Sequence, residues 1–261
     1  MRTALIGYTG FVGSNLASRH PFDSVYNSSS IDKIAGESFD LVVTAGNRAD
    51  SHRINRHGDE DRAEIDALAD RLGTAQIGKL VLVSTVCVYP GGSSPTESTS
   101  RSPRDLTPYG ANRLHQEERL AGQHDTLILR LPQLYGDGLK KGVIHDLAND
   151  YRVEFIRPDG EFQYYDVRRL WNDIGIALGA GLESMNLATP ALRNDVVARD
   201  GFGVDVTMND PGPADPFSTM YTRDMRTEHA ALFGGSGDYL LDADTELDGI
   251  REFARSIREV A

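Results

Sequence analysis

A chain of 261 residues, 39% of them hydrophobic, suits one large domain or a core domain with a smaller lobe, and it can bury a substantial core. Its 39 acidic against 27 basic side chains leave a formal charge of −12, which argues against a general nucleic-acid or membrane-surface binder, since either partner is itself anionic. Cys87 is the single cysteine, so no internal disulfide forms. With no signal-like leader and no apolar run near the ~20 residues that span a bilayer, the cytoplasm is the expected compartment.

The chain opens with a short apolar strand, Thr3 to Ile6, that turns at Gly7-Tyr8-Thr9-Gly10-Phe11-Val12-Gly13 into a helix running from Phe11 to before Pro21. Strand, glycine turn and helix in that order point to a nucleotide cofactor. Gly7 permits a tight turn, Gly10 lets backbone approach a pyrophosphate, and Gly13 lets the helix lie close to its strand, while the helix N–H groups face the phosphates. The spacing is G-x-x-G-x-x-G rather than the G-x-G-x-x-G of many dehydrogenases.

Further strands are predicted at Val25-Tyr26, Leu41 to Thr44, Leu80 to Ser84 and Leu127 to Leu129. Being short and apolar, they read as strands covered on both faces. Between them Ile65, Leu68 and Leu72 recur at helical spacing before Gly73, and Tyr109 to Leu120 forms a second helical pattern. This alternation predicts an α/β fold, a doubly wound parallel sheet of Rossmann type with right-handed crossovers.

Composition changes near Pro132, where Gly136, Gly138, Gly142 and the charged stretch from Asn149 to Gly160 mark an excursion from the sheet. Phe162 to Val167 reads as a returning strand, Leu170, Ile174 and Leu178 as a helix face, and Met185 to Leu187 as a strand. Thr189-Pro190 reads as a helix start. Asn209 to Phe217 is turn-rich, and Leu247, Ile250, Phe253 and Ile257 share one face of a terminal helix that caps a small C-terminal lobe. The expected division is a dinucleotide-binding core over 1–131 and 162–184, with a substrate lobe over 132–161 and 185–261.

Four segments together resemble the extended short-chain dehydrogenase/reductase family, the NAD-dependent epimerase/dehydratase type whose members commonly modify nucleotide-activated sugars. Leu82 to Tyr89 is similar to the family strand that ends in a catalytic Ser/Thr, which places that role on Thr85. Tyr109-Gly110-Ala111-Asn112-Arg113 resembles the family's Tyr-x-x-x-Lys helix. Arg130 to Gly136 resembles the segment that passes the nicotinamide, bringing Pro132 to the cofactor, and Phe162 to Val167 the strand that returns from the substrate lobe.

The chemistry explains these residue types. A carbinol gives hydride to a nicotinamide only if its hydroxyl proton is removed, and the reverse reduction needs that proton back, so one group serves as base and acid. A tyrosine, with an ordinary pKa of ~10, needs a nearby cation to stabilise its phenolate. Tyr109 and Arg113 are spaced i,i+4, on one helical face. Thr85 is placed to orient the same oxygen, its alternative reading being a strand-end residue that caps local backbone.

Two departures shape the expectation. Arg113 stands where the family has lysine; it keeps the positive charge but is planar and does not give up a proton. Family dehydratases carry Asp and Glu after the threonine, where this chain has Val86 and Cys87, so a 4,6-dehydratase is disfavoured. Thr85 to Pro90 instead resembles the S-S-C-I-Y-P stretch of GDP-fucose synthases, which assigns Cys87 to proton transfer; only His145 stands near the position of that family's histidine. The second strand ends in Asn27-Ser28-Ser29, with neither the acidic residue of NAD-preferring relatives nor the arginine of NADP-preferring ones, so NAD and NADP both stay open. Ala45-Gly46-Asn47 resembles the small-residue passage beside the cofactor. His52 and His57 lack the spacing of a metal site. The implied function is an NAD(P)-dependent oxidoreductase or epimerase acting on a nucleotide sugar, with a homodimer as the implied assembly; a catalytically weakened dinucleotide-binding protein is the alternative.

Overall fold

The structure is a computed structural model that describes residues 1–212 and 223–260. In chain order its main elements begin with β1 (Thr3–Ile6), α1 (Phe11–Arg19), β2 (Ser24–Tyr26), β3 (Ser38–Thr44), α2 (Ser51–Ile54), α3 (Gly58–Leu72), β4 (Gln76–Thr85), α4 (Pro108–Gln123) and β5 (Thr126–Leu131). They continue with β6 (Gln133–Tyr135), α5 (Val143–Ala148), β7 (Glu161–Asp166), α6 (Leu170–Gly179), β8 (Ser184–Asn186), β9 (Ala191–Arg193), α7 (Asn194–Val196) and α8 (Ala243–Val260).

Six strands form a sheet in the order β2-β1-β3-β4-β5-β8. β1 pairs in parallel with both β2 and β3, and β3 with β4. The chain therefore leaves β1 to one side for β2 and returns to its other side for β3, which makes the carboxyl ends of β1 and β3 a topological switch point, where doubly wound sheets bind their ligands. Ala4, Ile6, Val42, Leu80 and Leu82 from these strands pack with Ala69 and Leu72 of α3 and Leu120 of α4. The Rossmann-type fold expected from the alternating pattern is thus present.

Local chemistry sets the helix that carries Tyr109. Thr107 caps α4 by accepting from the Gly110 N–H at 3.3 Å, and Pro108 occupies the first turn, where its missing donor costs nothing. Helices α3 and α4 are then laced together by Arg113–Asp61, His115–Asp66 and Arg119–Asp70.

The chain divides into two compact units, the first of residues 1–90, 99–130 and 168–185, the second of 91–98, 131–167 and 186–261. In the second, β7 pairs in parallel with β6 and antiparallel with β9. Leu247, Ile250 and Phe253 of α8 join Tyr135, Tyr164 and Phe202 in its core, with Ile257 packed against them.

Three expectations are corrected. The returning strand from Phe162 falls in the second unit, because β7 takes its partners from β6 and β9. Residues 91–98 also belong there: the Glu97 carboxylate accepts from the Asn186 and Glu228 N–H groups and the Thr227 hydroxyl. No helix starts at Thr189-Pro190. The Thr189 hydroxyl donates to the Tyr164 carbonyl at 2.7 Å instead of capping a helix, and β9 pairs with β7 before helical turns begin at Asn194. Sheet pairing overrides the local signal. The turn-rich stretch from Asn209 to Phe217 lies partly outside the described residues.

Candidate active site

The glycine turn is built as its spacing requires. Gly7 has φ of +86°, and a Cβ there would lie 2.6 Å from the Ala45 carbonyl oxygen and 2.7 Å from Gly46 Cα. The ends of β1 and β3 therefore touch backbone to backbone at the switch point. A Cβ on Gly13 would lie 2.0 Å from the Gly7 oxygen, so α1 sits against its strand only because position 13 is bare. Gly10 differs: a Cβ there would meet only the Gly7 oxygen, at 3.3 Å, and otherwise open space. No side chain caps α1, whose N-cap position is Gly10. An open glycine at an uncapped helix start leaves N–H groups free for an anion. These residues fit the pyrophosphate of a dinucleotide.

Around this turn, Tyr8, Thr9, Phe11 and Val12 line the bend between β1 and α1. Asn27, at the end of β2, donates to the Tyr8 hydroxyl at 3.4 Å, and its carbonyl oxygen accepts from the Ser29 N–H and from the hydroxyls of Ser29 and Ser30. Ser28 beside it is exposed. Arg48 is turned to Glu64 at 3.3 Å, which absorbs its charge. Pro132 links β5 to β6 and belongs to the second unit, as does His145, which faces Asp146 at 3.0 Å. Among the described residues no cluster of His, Cys, Asp or Glu is suited to a metal ion, and no helix is long and apolar enough to cross a membrane.

Thr85, Cys87, Tyr109 and Arg113 come together in the first unit. Thr85 ends β4, and its hydroxyl oxygen accepts from the Cys87 N–H at 3.2 Å, starting the turn Val86–Val88. The same side chain lies by the Tyr109 phenol and helps lower its pKa, so the local cap and the tyrosine interaction coexist. Gly110 makes this possible: a Cβ there would sit 2.2 Å from the Cys87 carbonyl oxygen, so α4 starts in direct contact with the turn after β4. From the other side, the Asn55 side chain accepts from the Tyr109 N–H at 3.0 Å.

Arg113 is buried, at 3% exposed. Its two terminal nitrogens donate to the two oxygens of Asp61 at 3.1 and 2.9 Å, and one also donates to the Arg48 carbonyl at 2.7 Å. Asn112 donates to Asp61 as well, at 2.9 Å. The guanidinium carbon lies 4.7 Å from the centre of the Tyr109 ring, within cation–π range. Burial pushes the Tyr109 phenol up, and the Cys87 thiol adds to that; the Arg113 charge and hydrogen bonds from Arg113 and Thr85 pull it down without overcoming the rise. Arg113 thus lowers the phenol while the net shift is upward.

Asp61, Asn55 and Gly110 shape this cluster, and neither Asp61 nor Asn55 stood out in the sequence. Asp61 lies in the acidic first turn of α3, where a carboxylate reads as a companion of the helix dipole. Only Gly110, directly after the tyrosine, carried a local signal.

Residues 23–154, just over half of the chain, match the model of the NAD dependent epimerase/dehydratase family. The chain belongs to that family, whose cofactor is NAD by description, and the matched span contains Thr85, Tyr109 and Arg113. Among solved structures it is similar to UDP-glucose 4-epimerase of Thermotoga maritima, crystallised with UDP-glucose, at 13% identity and a TM-score of 0.74, with 100% of this chain and 99% of that one covered. It is similar to a dTDP-4-dehydrorhamnose reductase of Clostridium acetobutylicum at 14% identity and a TM-score of 0.72, covering 99% and 100%. A UDP-glucuronic acid 4-epimerase mutant of Bacillus cereus, in complex with a fluorinated UDP-sugar and NAD, aligns at 13% identity and a TM-score of 0.73 over the whole of both chains. At these identities the likeness is one of fold. No curated protein matches the chain.

Proposed function

We propose that the protein is an NAD(P)-dependent oxidoreductase or epimerase that acts on a nucleotide-activated sugar by hydride transfer, with Tyr109 as its acid and base. The observation that carries this reading is the meeting of Tyr109 with Thr85 and Arg113 at the end of β4, in the same unit as an open glycine turn at the switch point. The epimerases and the reductase of similar fold, named for nucleotide sugars, support the substrate class.

NAD or NADP, when bound, supplies the site of hydride exchange. The backbone of Gly7 to Gly13 would hold its pyrophosphate, Asn27 and Ser28 would bond the adenosine ribose, and Ala45 and Gly46 would border its path. Tyr109 exchanges the proton of the reacting sugar oxygen, which Thr85 orients. Arg113 holds the tyrosine ring in place, and Cys87 is the second proton-transfer group. With Val86 and Cys87 in place of a carboxylate pair, elimination of water has no acid and base at this turn, so a 4,6-dehydratase is disfavoured.

Titration of NAD and NADP, followed by assays on a panel of nucleotide sugars, tests this reading. Tyr109→Phe is expected to lower turnover by at least about a hundredfold, the lower bound for a general acid–base group, with cofactor affinity kept. Full activity in that variant would remove Tyr109 from the mechanism. The pairing of Arg113 with Asp61 and the raised phenol favour a second reading, a dinucleotide-binding protein with weakened catalysis. Cofactor binding with no hydride transfer to or from any sugar nucleotide would select it.

A further inference from the structure

We propose that Asp61 is a positioning residue that commits Arg113 to a clamp on the Tyr109 ring and offsets part of its charge, so that Tyr109 rests as a phenol ready to donate a proton. This rests on the reading of Tyr109 as the proton-transfer group and adds the direction in which the free site is poised.

The argument is geometric. Two nitrogens of Arg113 face the two oxygens of Asp61, the fork-on-fork arrangement that fixes a guanidinium plane, and the Arg48 carbonyl takes a further bond. Asn112 fills the carboxylate's other side and donates also to the Gly58 carbonyl at 2.7 Å, which fixes Asp61 in turn. Both ions are buried, Asp61 at 5% and Arg113 at 3% exposed, so solvent does little to screen the pair. Held this way, the guanidinium lies over the ring face of Tyr109. A lysine ammonium could not span both oxygens of Asp61 and cover the ring. Thr85, Cys87 and Arg113 act on the Tyr109 phenol, Asn55 holds its backbone N–H, and Asp61 lies behind Arg113. Thr85 is neutral and the Cys87 thiol works against the phenolate, so among these groups Arg113 is the cation, and Asp61 offsets part of its pull.

In the reducing direction Tyr109 would give its proton to the carbonyl oxygen as the C=O π pair moves there, while the reduced nicotinamide, when bound, would supply the hydride to the carbonyl carbon and be oxidised; the tyrosinate left would recover its proton from solvent.

The test reads the phenol in the full chain without cofactor or substrate, so it stands apart from turnover. The ultraviolet absorbance of tyrosinate is followed against pH for each protein and subtracted from that of the same protein carrying Tyr109→Phe, with circular dichroism reporting the fold. In the native protein Tyr109 should titrate above the ordinary value of ~10. Asp61→Asn, which releases the Arg113 charge, should bring it down by about one unit or more, roughly tenfold in ionisation constant. The double variant Asp61→Asn with Arg113→Gln keeps a neutral hydrogen-bonded pair and decides the matter where the single variant fails to fold: with the cation gone it should titrate no lower than the native protein and above Asp61→Asn. An unmoved or raised titration in Asp61→Asn, or a double variant that titrates below the native protein, would overturn the proposal.

Discussion

The guanidinium of Arg130 meets the carboxylate of Glu117 at 2.8 Å with both side chains almost fully buried, joining the end of β5 to the middle of α4. Glu117 also accepts from the Ser84 hydroxyl at 2.5 Å and from Arg101 at 2.6 Å, while Arg130 donates to the Tyr89 hydroxyl at 2.9 Å. One carboxylate thus fixes the strand before Thr85, the strand before Pro132 and the helix that carries Tyr109. Glu117→Gln leaves two arginines without their counter-charge, and the cost of breaking a buried pair is about 3–5 kcal/mol. Urea unfolding should show a loss in that range. Replacing both partners, Glu117→Leu with Arg130→Met, should recover much of it, because the fully buried arginine is then gone and only Arg101, which is part exposed, loses its partner.

Gly10 and Gly13 should separate when each is changed to alanine. At Gly13 the new methyl carbon would stand 2.0 Å from the Gly7 oxygen, so α1 must move off its strand and both thermal stability and dinucleotide binding should fall. At Gly10 the neighbouring space is open, so Gly10→Ala should fold with near-native stability and still bind NAD at least about tenfold more weakly, a loss of 1.4 kcal/mol or more, since the methyl occupies the approach of the pyrophosphate. Calorimetric titration with NAD beside a melting curve checks both. Unchanged affinity in Gly10→Ala would move the cofactor away from this turn.

The contrast between these glycines and Asp61 shows what the sequence could convey. The glycine turn and the Tyr109–Arg113 spacing were legible because each function there is served by residues close in sequence, along a turn and along one helix face. Arg113 and Asp61 are 52 positions apart, and Tyr109 and Asn55 are 54 apart. No periodicity links such pairs, so the place of Asp61 beside Arg113 became visible only when α3 and α4 packed. The reading at Thr189-Pro190 failed for the converse reason: a sound local helix signal lost to the pairing of β9 with β7. Strand positions were read well where apolar residues ran together, as in β1, and their ends less well where a polar residue such as Asp40 sits inside β3.

Gly110 sets the distance between α4 and the turn after β4, so Gly110→Ala is a graded probe of the candidate site. Its methyl would press on the Cys87 carbonyl oxygen, 2.2 Å away, and drive the first turn of α4 outward. The Tyr109–Thr85 contact should lengthen with it. A misplacement of that size costs on the order of a hundredfold in rate where geometry matters. Steady-state kinetics should show kcat falling far more than KM rises, with NAD affinity little altered. Equal losses in kcat and affinity would show that the glycine serves folding alone.

Asp224 and Tyr239 should give the second unit a dependence on pH at both ends of the scale. Burial alone would raise the Asp224 carboxyl, but hydrogen bonds from Tyr239 and Arg226 outweigh it and hold the group below its ordinary 3.8. The depressed value means that its contribution is whole above 3.8 and is lost as pH falls through the lower folded value. Tyr239 runs the other way: burial, with the bond to Asp224 and that residue's charge, pushes its phenol up to about 12. The unfolded chain then releases this proton first, from its ordinary value of 10, so the contribution is whole below pH 10 and lost between there and about 12. Tyr239→Phe removes the alkaline component outright and one of the bonds that lower Asp224. Its melting temperature should therefore fall less steeply than the native protein's above pH 10, and should also fall less on the acid side, because the Asp224 carboxyl is then held less far below 3.8. Parallel melting curves for the two proteins across the whole range would show that the pair is not coupled to folding.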